Sequence, residues 1–436
     1  MSALAAWSLR LGLSVSGSDR EASRALSELC KLGAEAYTGQ RPEVVCGADI
    51  VVYSLAIGDG DAELRLARGR GILTVSRAEF LGAMMLRYKT RIGVSGTHGK
   101  STVTAMLGSI FSVACRNPTV LCGAPISDSG SYEFGGEESL IYEACEYRMA
   151  FLSFSPTVAL ILNVDFDHPD CYGSIEEAED AFLRSTKGAD LSVVNIDSAA
   201  AERVYRRIGD RRVSVGKSDA ADYRYEIVGN GAHPEFNIYH LSHHVATLKL
   251  RVIGEHNVAN AVAAFAVAYE CGISQKNIIQ ALERFPGIGR RGELLGRLGE
   301  SDVYYDYAHH PSEIRASIKA VRALGYKRVT VLFKPHTYTR TKALWADFVS
   351  ALSLADRVIL TEIFPAREQP IPTVTSERLA KDIGGRASFF ADSSAADALI
   401  PEKYGAIILM GAGNISHILE KITGNEKFSV DKSAAL

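Results

Sequence analysis

The chain has 436 residues with 48 basic against 51 acidic side chains, a balance that excludes a generally basic nucleic-acid surface and an acidic tail. An apolar content of 47% and a charged content of 23% are those of a globular protein, and the length predicts two to four domains. Seven scattered cysteines without a CxxC pair predict reduced thiols in a cytoplasm; the opening MSALAAWSLRLGL does not read as a signal peptide, and no apolar run reaches the roughly 18 residues of a membrane span.

Residues 1–88 read as alternating helices and strands. A helix covers 1–11, a strand covers 13–16 and ends at Gly17-Ser18-Asp19, and a helix follows over 20–32. The continuous apolar run DIVVYS, 49–54, reads as a buried parallel strand. This alternation predicts a parallel α/β sheet. Asp19 is positioned to meet a ribose or a base, or equally to cap the next helix.

Residues 89–290 carry the organising motif. An apolar strand over 91–95, the turn Gly96-Thr97-His98-Gly99-Lys100-Ser101 and a helix over 101–112 form a phosphate-binding loop. Glycine lets the backbone approach an anion, and N–H groups at the helix start point at it. Lys100 would reach the terminal phosphates and the Ser101 hydroxyl would bind Mg2+. Val94 stands five before Gly99, so the loop is a shorter form than the Walker sequence. Strands over 139–144 and 157–163 end at Glu143-Ala144-Cys145-Glu146 and at Asn163, followed by Asp165, Asp167, His168 and Asp170. Ligands bind beyond the carboxyl ends of parallel strands, which sets these groups beside the phosphate loop. Oxygens with one imidazole suit an Mg2+ that also holds substrate phosphates. Another short strand covers 191–195. Residues 219–253 alternate like antiparallel hairpins, with His233, His240, His243 and His244 read as surface residues. Gly254 to Asn260 opens an apolar helix in which His256 and Asn260 share a face and Asn257 reads as the N-cap. Phe285 to Gly289 is a breaker cluster, and the basic pair Arg290–Arg291 after it could clamp phosphate.

Residues 291–436 form a third α/β unit, with strands over 302–306, 328–333, 357–361 and 406–410 and helices over 311–324 and 340–354. Its strand ends carry Asp306 to Pro311, Lys334 to Arg340, Glu362 to Arg367 and the glycine turn Gly411 to Asn414. Four such ends predict one lip of a cleft.

Taken together, GTHGKS, EACEYRMAFLSFSP with NVDFDHPD, GEHNVAN, GRRGE, DYAHHPSEI and FKPHTYTRT resemble the motifs of the Mur ligases, ATP-dependent amino-acid-adding enzymes of peptidoglycan synthesis, and their alanine-adding branch in particular. The resemblance implies three α/β domains: a Rossmann-like UDP-sugar domain (1–88), a central P-loop ATPase-type domain (89–290) and a Rossmann-like C-terminal domain (291–436). It implies ATP and Mg2+ as cofactors, UDP-N-acetylmuramate and L-alanine as substrates, and a monomer or homodimer. Gly96, Thr97, His98, Gly99, Lys100, Ser101 and Thr102 would cradle ATP, with Asn257 at adenine and Arg291 and Asp306 at the phosphates and ribose. Ser101, Glu143 and His168 would hold Mg2+, with Glu146 as a near alternative to Glu143. His309, His336 and Arg340 would surround the incoming amino acid, with His309 or His336 as its base. Lys187 is the nearest counterpart of a lysine that sister ligases carbamylate. The alternatives are a sister ligase adding a preformed peptide and a nucleotide-binding homologue without catalysis. The family's first domain opens with a strand and a glycine turn ending Gly-Met-Ser, of which Met1-Ser2-Ala3 looks like the tail; the expectation is a start further upstream or weak UDP binding.

Overall fold

The computed structural model describes residues 1–55, 57–58, 60–126, 130–229, 231–401, 405–412 and 415–430. In the leading segment, two parallel pairs form separate sheets: Ser16–Asp19 with Glu35–Thr38, and Ile50–Tyr53 with Leu73–Ser76. The first strand lies three residues later than its apolar run suggests, because backbone pairing to Glu35–Thr38 sets it; all four of its side chains are exposed. Asp19 is its last residue, and Ser23 caps the helix Arg24–Lys31, which removes the capping role for Asp19. The strand Ile50–Tyr53 is parallel as expected but not buried, since Ile50 is 44% exposed in a sheet of only two strands. The helix Ser2–Arg10 drives Leu4 and Trp7 into the core beneath the next domain, where Trp7 meets Tyr88 edge-on.

Ten strands form the central sheet. Thr90–Ser95 lies in its interior, parallel to Ser139–Glu143 on one side and Val158–Ile161 on the other. Its buried apolar run is what a strand covered on both faces requires. Helices Lys100–Val113, His256–Glu270 and Gln275–Arg284 pack on one face. Helices Arg77–Met85, Ile175–Ser185 and Ala199–Arg207 pack on the other. The expected hairpins are Tyr223–Ile227, Glu235–His240 and His243–Lys249, antiparallel at one edge. His243 and His244 are exposed, but His240 is half-buried and stacks on Tyr223 at 4.3 Å. The N-cap of His256–Glu270 is Glu255, not Asn257, whose amide donates back to the Ile253 carbonyl at 2.8 Å.

Seven strands form the third sheet, in the order Ala387–Phe389, Arg357–Leu360, Arg328–Phe333, Gly405–Met410, Ser301–Asp306, Glu293–Leu298, Phe428–Ser429. The first five are parallel, so their carboxyl ends share one edge. The single helix expected over 340–354 is two, Tyr338–Ala343 and Trp345–Leu352, broken at Leu344 (φ −107°, ψ 25°). Gly413 and Asn414 lie outside the described residues. No described helix is long and apolar enough to cross a membrane.

Gly82 in the helix Arg77–Met85 lets the first domain's last helix contact the backbone of the segment Tyr147–Ser153: a Cβ there would stand 2.1 Å from the Ser153 carbonyl oxygen. Gly82→Ala should therefore destabilise the protein by about 1–3 kcal/mol in denaturant unfolding; an unchanged midpoint would contradict this packing.

Candidate active site at the interface of the second and third domains

The phosphate loop is held open by close approaches that only glycine allows. Gly99, the N-cap of Lys100–Val113, has φ +85°, and a Cβ there would lie 2.7 Å from Asn260 Oδ1. Asn163, at the end of the neighbouring strand's apolar run, braces the loop from below: His98 N donates to its Oδ1 at 2.8 Å and its Nδ2 donates to the His98 carbonyl at 3.1 Å. Ser101 and Thr102 are buried in the first helical turn. The Lys100 ammonium donates to the Gly96 and Thr97 carbonyls and lies 2.9–3.0 Å from both oxygens of Glu146. Burial opposes its charge, but Glu146 outweighs burial and keeps its pKa above the ordinary value.

The two acids read from EACE separate in space. Glu143 accepts from the Gly123 N–H and from the Cys122 thiol at 3.3 Å. Glu146, 4% exposed, faces Lys100 and stands 3.8 Å from His168 Nε2, with Asp167 3.7 Å from the same nitrogen. The carboxylates beside His168 are thus Glu146 and Asp167. Asn257 accepts from Asn260 at 3.1 Å, completing a small amide network behind Gly99. Lys187 is exposed and precedes the strand Leu191–Asn195, which sets it at the amino edge of the sheet, opposite the phosphate loop.

The third domain meets this site through a set of ionic contacts. Arg340 Nε and Nη2 donate to Asp167 at 2.7 and 3.2 Å, and the two side chains are 4% and 6% exposed. Burial opposes ionisation of Asp167, yet Arg340 holds its carboxyl well below the usual carboxylate range. Arg340 also donates to His336 Nδ1 at 3.0 Å. His336 stacks on Phe364, and its edge contact to His309 spans 5.9 Å. Burial, with Arg340 nearby, pushes His336 down to about 3; burial, opposed by Glu313, brings His309 to about 4. Both rings are therefore neutral at physiological pH. Burial raises Asp306 to about 6 against the opposing pull of Arg291.

The His98 ring turns toward the third domain. Its Nε2 lies 3.0 Å from Asp165 Oδ2 and its Nδ1 lies 3.3 Å from Glu313 Oε1, and its ring packs on His310 at 4.7 Å. Burial opposes the imidazolium, but bonds to the two carboxylates raise its pKa to about 9. His98, Asp165 and His310 have ligand atoms within 4.8 Å of one another. Both His98 nitrogens already face carboxylates, so the contact reads as an ion pair between the phosphate loop and the third domain. Sequence reasoning missed Glu313 and did not pair Asp167 with Arg340. The only sequence signal for Glu313 was helical: it sits two residues after Pro311 as the third residue of a capping box.

Residues 1–89 match the Mur ligase family catalytic domain, 94–268 the Mur ligase middle domain and 290–413 the Mur ligase glutamate ligase domain. The chain belongs to the Mur ligase family and is an ATP-dependent ligase. It is 38% identical over 440 residues to a UDP-N-acetylmuramate–L-alanine ligase of Solidesulfovibrio magneticus, covering 97% of this chain and 96% of that protein. It is 36% identical to the protein of the same name in Caldicellulosiruptor bescii, with 97% and 95% covered. Among solved structures, the UDP-N-acetylmuramate-alanine ligase MurC of Thermotoga maritima superposes with a TM-score of 0.82 at 27% identity, covering 97% and 96%. A murein peptide ligase of Psychrobacter arcticus shares the fold, with a TM-score of 0.74 at 22% identity over 97% and 96% of the chains.

Two outcomes follow from the ionic contacts. The folded pKa of His98, about 9, exceeds its ordinary 6.5, so its stabilisation is complete below pH 6.5 and fades as pH rises through 9. The stability difference between wild type and His98→Gln should shrink over that window; a difference independent of pH would contradict the Asp165–His98–Glu313 arrangement beside His310 and Arg291. Arg340→Ala leaves the buried Asp167 with only His168 beside it, which should weaken docking of the third domain by about 3–5 kcal/mol. Small-angle scattering should then report a more extended molecule, and an unchanged profile would count against the bridge.

Proposed function

We propose that this chain joins L-alanine to the carboxylate of UDP-N-acetylmuramate through an acyl phosphate, releasing ADP and phosphate, with residues 1–88 binding the UDP-sugar, 89–290 ATP and 291–436 the amino acid. The observation that carries this reading is the continuity of Lys100, Glu146, His168, Asp167, Arg340 and His336, which links the phosphate loop to the third domain without a break.

A carboxylate repels an amine, and phosphorylation converts one oxygen into a leaving group. In this reading Lys100 meets the transferring phosphoryl group as its charge spreads. The phosphate loop, Asn257, Arg291 and Asp306 hold the nucleotide. Ser101, Glu143 and His168, with Glu146 as the alternative to Glu143, offer oxygens and one imidazole of the kind that suits Mg2+; of the two acids it is Glu146 that stands beside His168, with Lys100 on both its oxygens. Mg2+ bound there would neutralise phosphate charge. Arg340 would direct the amino acid's carboxylate, sharing its guanidinium with Asp167. His309 contacts the Tyr307 carbonyl through Nδ1 at 3.0 Å, which leaves Nε2 as an acceptor. At a pKa of about 4, His309 can accept a proton only from a nitrogen already acidified by bonding to the acyl carbon. The docked third domain keeps water from the acyl phosphate.

Incubation with UDP-N-acetylmuramate, ATP, Mg2+, a mixture of L-alanine, L-serine and glycine, and the preformed tripeptide should give the alanine adduct by mass spectrometry. A tripeptide adduct, or no product, would contradict the proposal. Lys100→Ala should lower ADP formation about 100-fold or more, and retained turnover would remove the phosphate-loop assignment.

A further inference from the structure

Glu313 does more than start its helix. Its Oε2 accepts from the backbone N–H groups of His309 and His310 at 3.1 and 3.3 Å, which completes the capping box of Pro311–Arg322. One oxygen suffices for that task, and glutamine performs it as well as glutamate. The second oxygen leaves the helix: Oε1 lies 3.3 Å from His98 Nδ1 on the phosphate loop and 3.4 Å from Arg291 Nη1 after the breaker cluster. His309 Nδ1 is 3.3 Å from Oε2. One carboxylate, 12% exposed, is thus shared by three chain segments. Asp165 fixes His98 from its other side and accepts from Ser312 Oγ at 3.5 Å, so the contacts close into a ring across the domain boundary. Burial alone would raise the Glu313 pKa, yet the charged His98 and Arg291 beside it hold it well below the usual range. Without that charge, His98 and Arg291 would face each other as like charges, and their repulsion would drive the phosphate loop and the hinge apart.

We propose that Glu313 is a positioning residue: its charge locks the third domain onto the phosphate loop through His98 and, in the same contact, aims Arg291 and His309. The kinetic part of this inference rests on the ligase reading above; the docking part does not.

Glu313→Gln keeps the cap and the volume and removes the charge. Its melting temperature should fall less than that of Glu313→Ala and its KM for UDP-N-acetylmuramate should stay near wild type, while kcat falls about tenfold or more. Small-angle scattering without substrates should report a more extended molecule, which reads the lock without turnover. His98→Gln should cost much less in the Glu313→Gln background than alone, because both remove one contact. Wild-type kcat and scattering in Glu313→Gln would overturn the proposal, as would losses that simply multiply. A fall in melting temperature as large as that of Glu313→Ala would also overturn it, by showing that the cap is all Glu313 provides. If wild type forms no alanine adduct but Glu313→Gln still extends the molecule, the ligase reading fails and the lock stands.

Discussion

The Arg340–Asp167 pair is the contact on which the site depends. Taking two charges out of water is costly, and only good geometry offsets it. The two-point guanidinium–carboxylate contact supplies that geometry, and it joins the start of a third-domain helix to the loop that follows a central strand of the second domain. Removing either partner leaves the other buried without its counter-charge. Arg340 also orients His336, so the third domain's polar cluster is registered by the same side chain that docks it.

The cations around the phosphate loop are balanced by the chain's own acids. Lys100 faces Glu146, His98 lies between Asp165 and Glu313, Arg291 meets Glu313, and Arg340 meets Asp167. In the proposed reading, a triphosphate exchanges its oxygens for the Glu146 carboxylate at Lys100, while the pairs that join the domains stay in place. Such a preorganised field needs little rearrangement when charge moves during phosphoryl transfer. The imidazoles of His309 and His336 stand apart from this balance: burial beside Arg340 keeps both neutral.

What the sequence reveals and conceals follows from the physics of each element. The strands Thr90–Ser95, Arg328–Phe333 and Gly405–Met410 lie in sheet interiors, and their apolar runs announce them. The loop chemistry of Gly99 and Lys100 is equally local and equally legible. The strand Ser16–Asp19 is polar and exposed, so hydropathy selects the residues before it. The break at Leu344 comes from backbone geometry and carries no proline or glycine signal. Asp167 and Arg340 are 173 residues apart, and no local period can pair them. Glu313 looks like a helix cap in sequence because it is one; its second oxygen reaches His98 only when two domains meet.

In the proposed reading, one site built from two domains activates a carboxylate with a phosphoryl group and then delivers an amine to it. Labelling both carboxylate oxygens of UDP-N-acetylmuramate with 18O tests it directly. Attack on an acyl phosphate leaves one labelled oxygen in the amide and sends the other out in inorganic phosphate. The account predicts one 18O per phosphate released. Label appearing in a nucleotide, or phosphate without label, would contradict it.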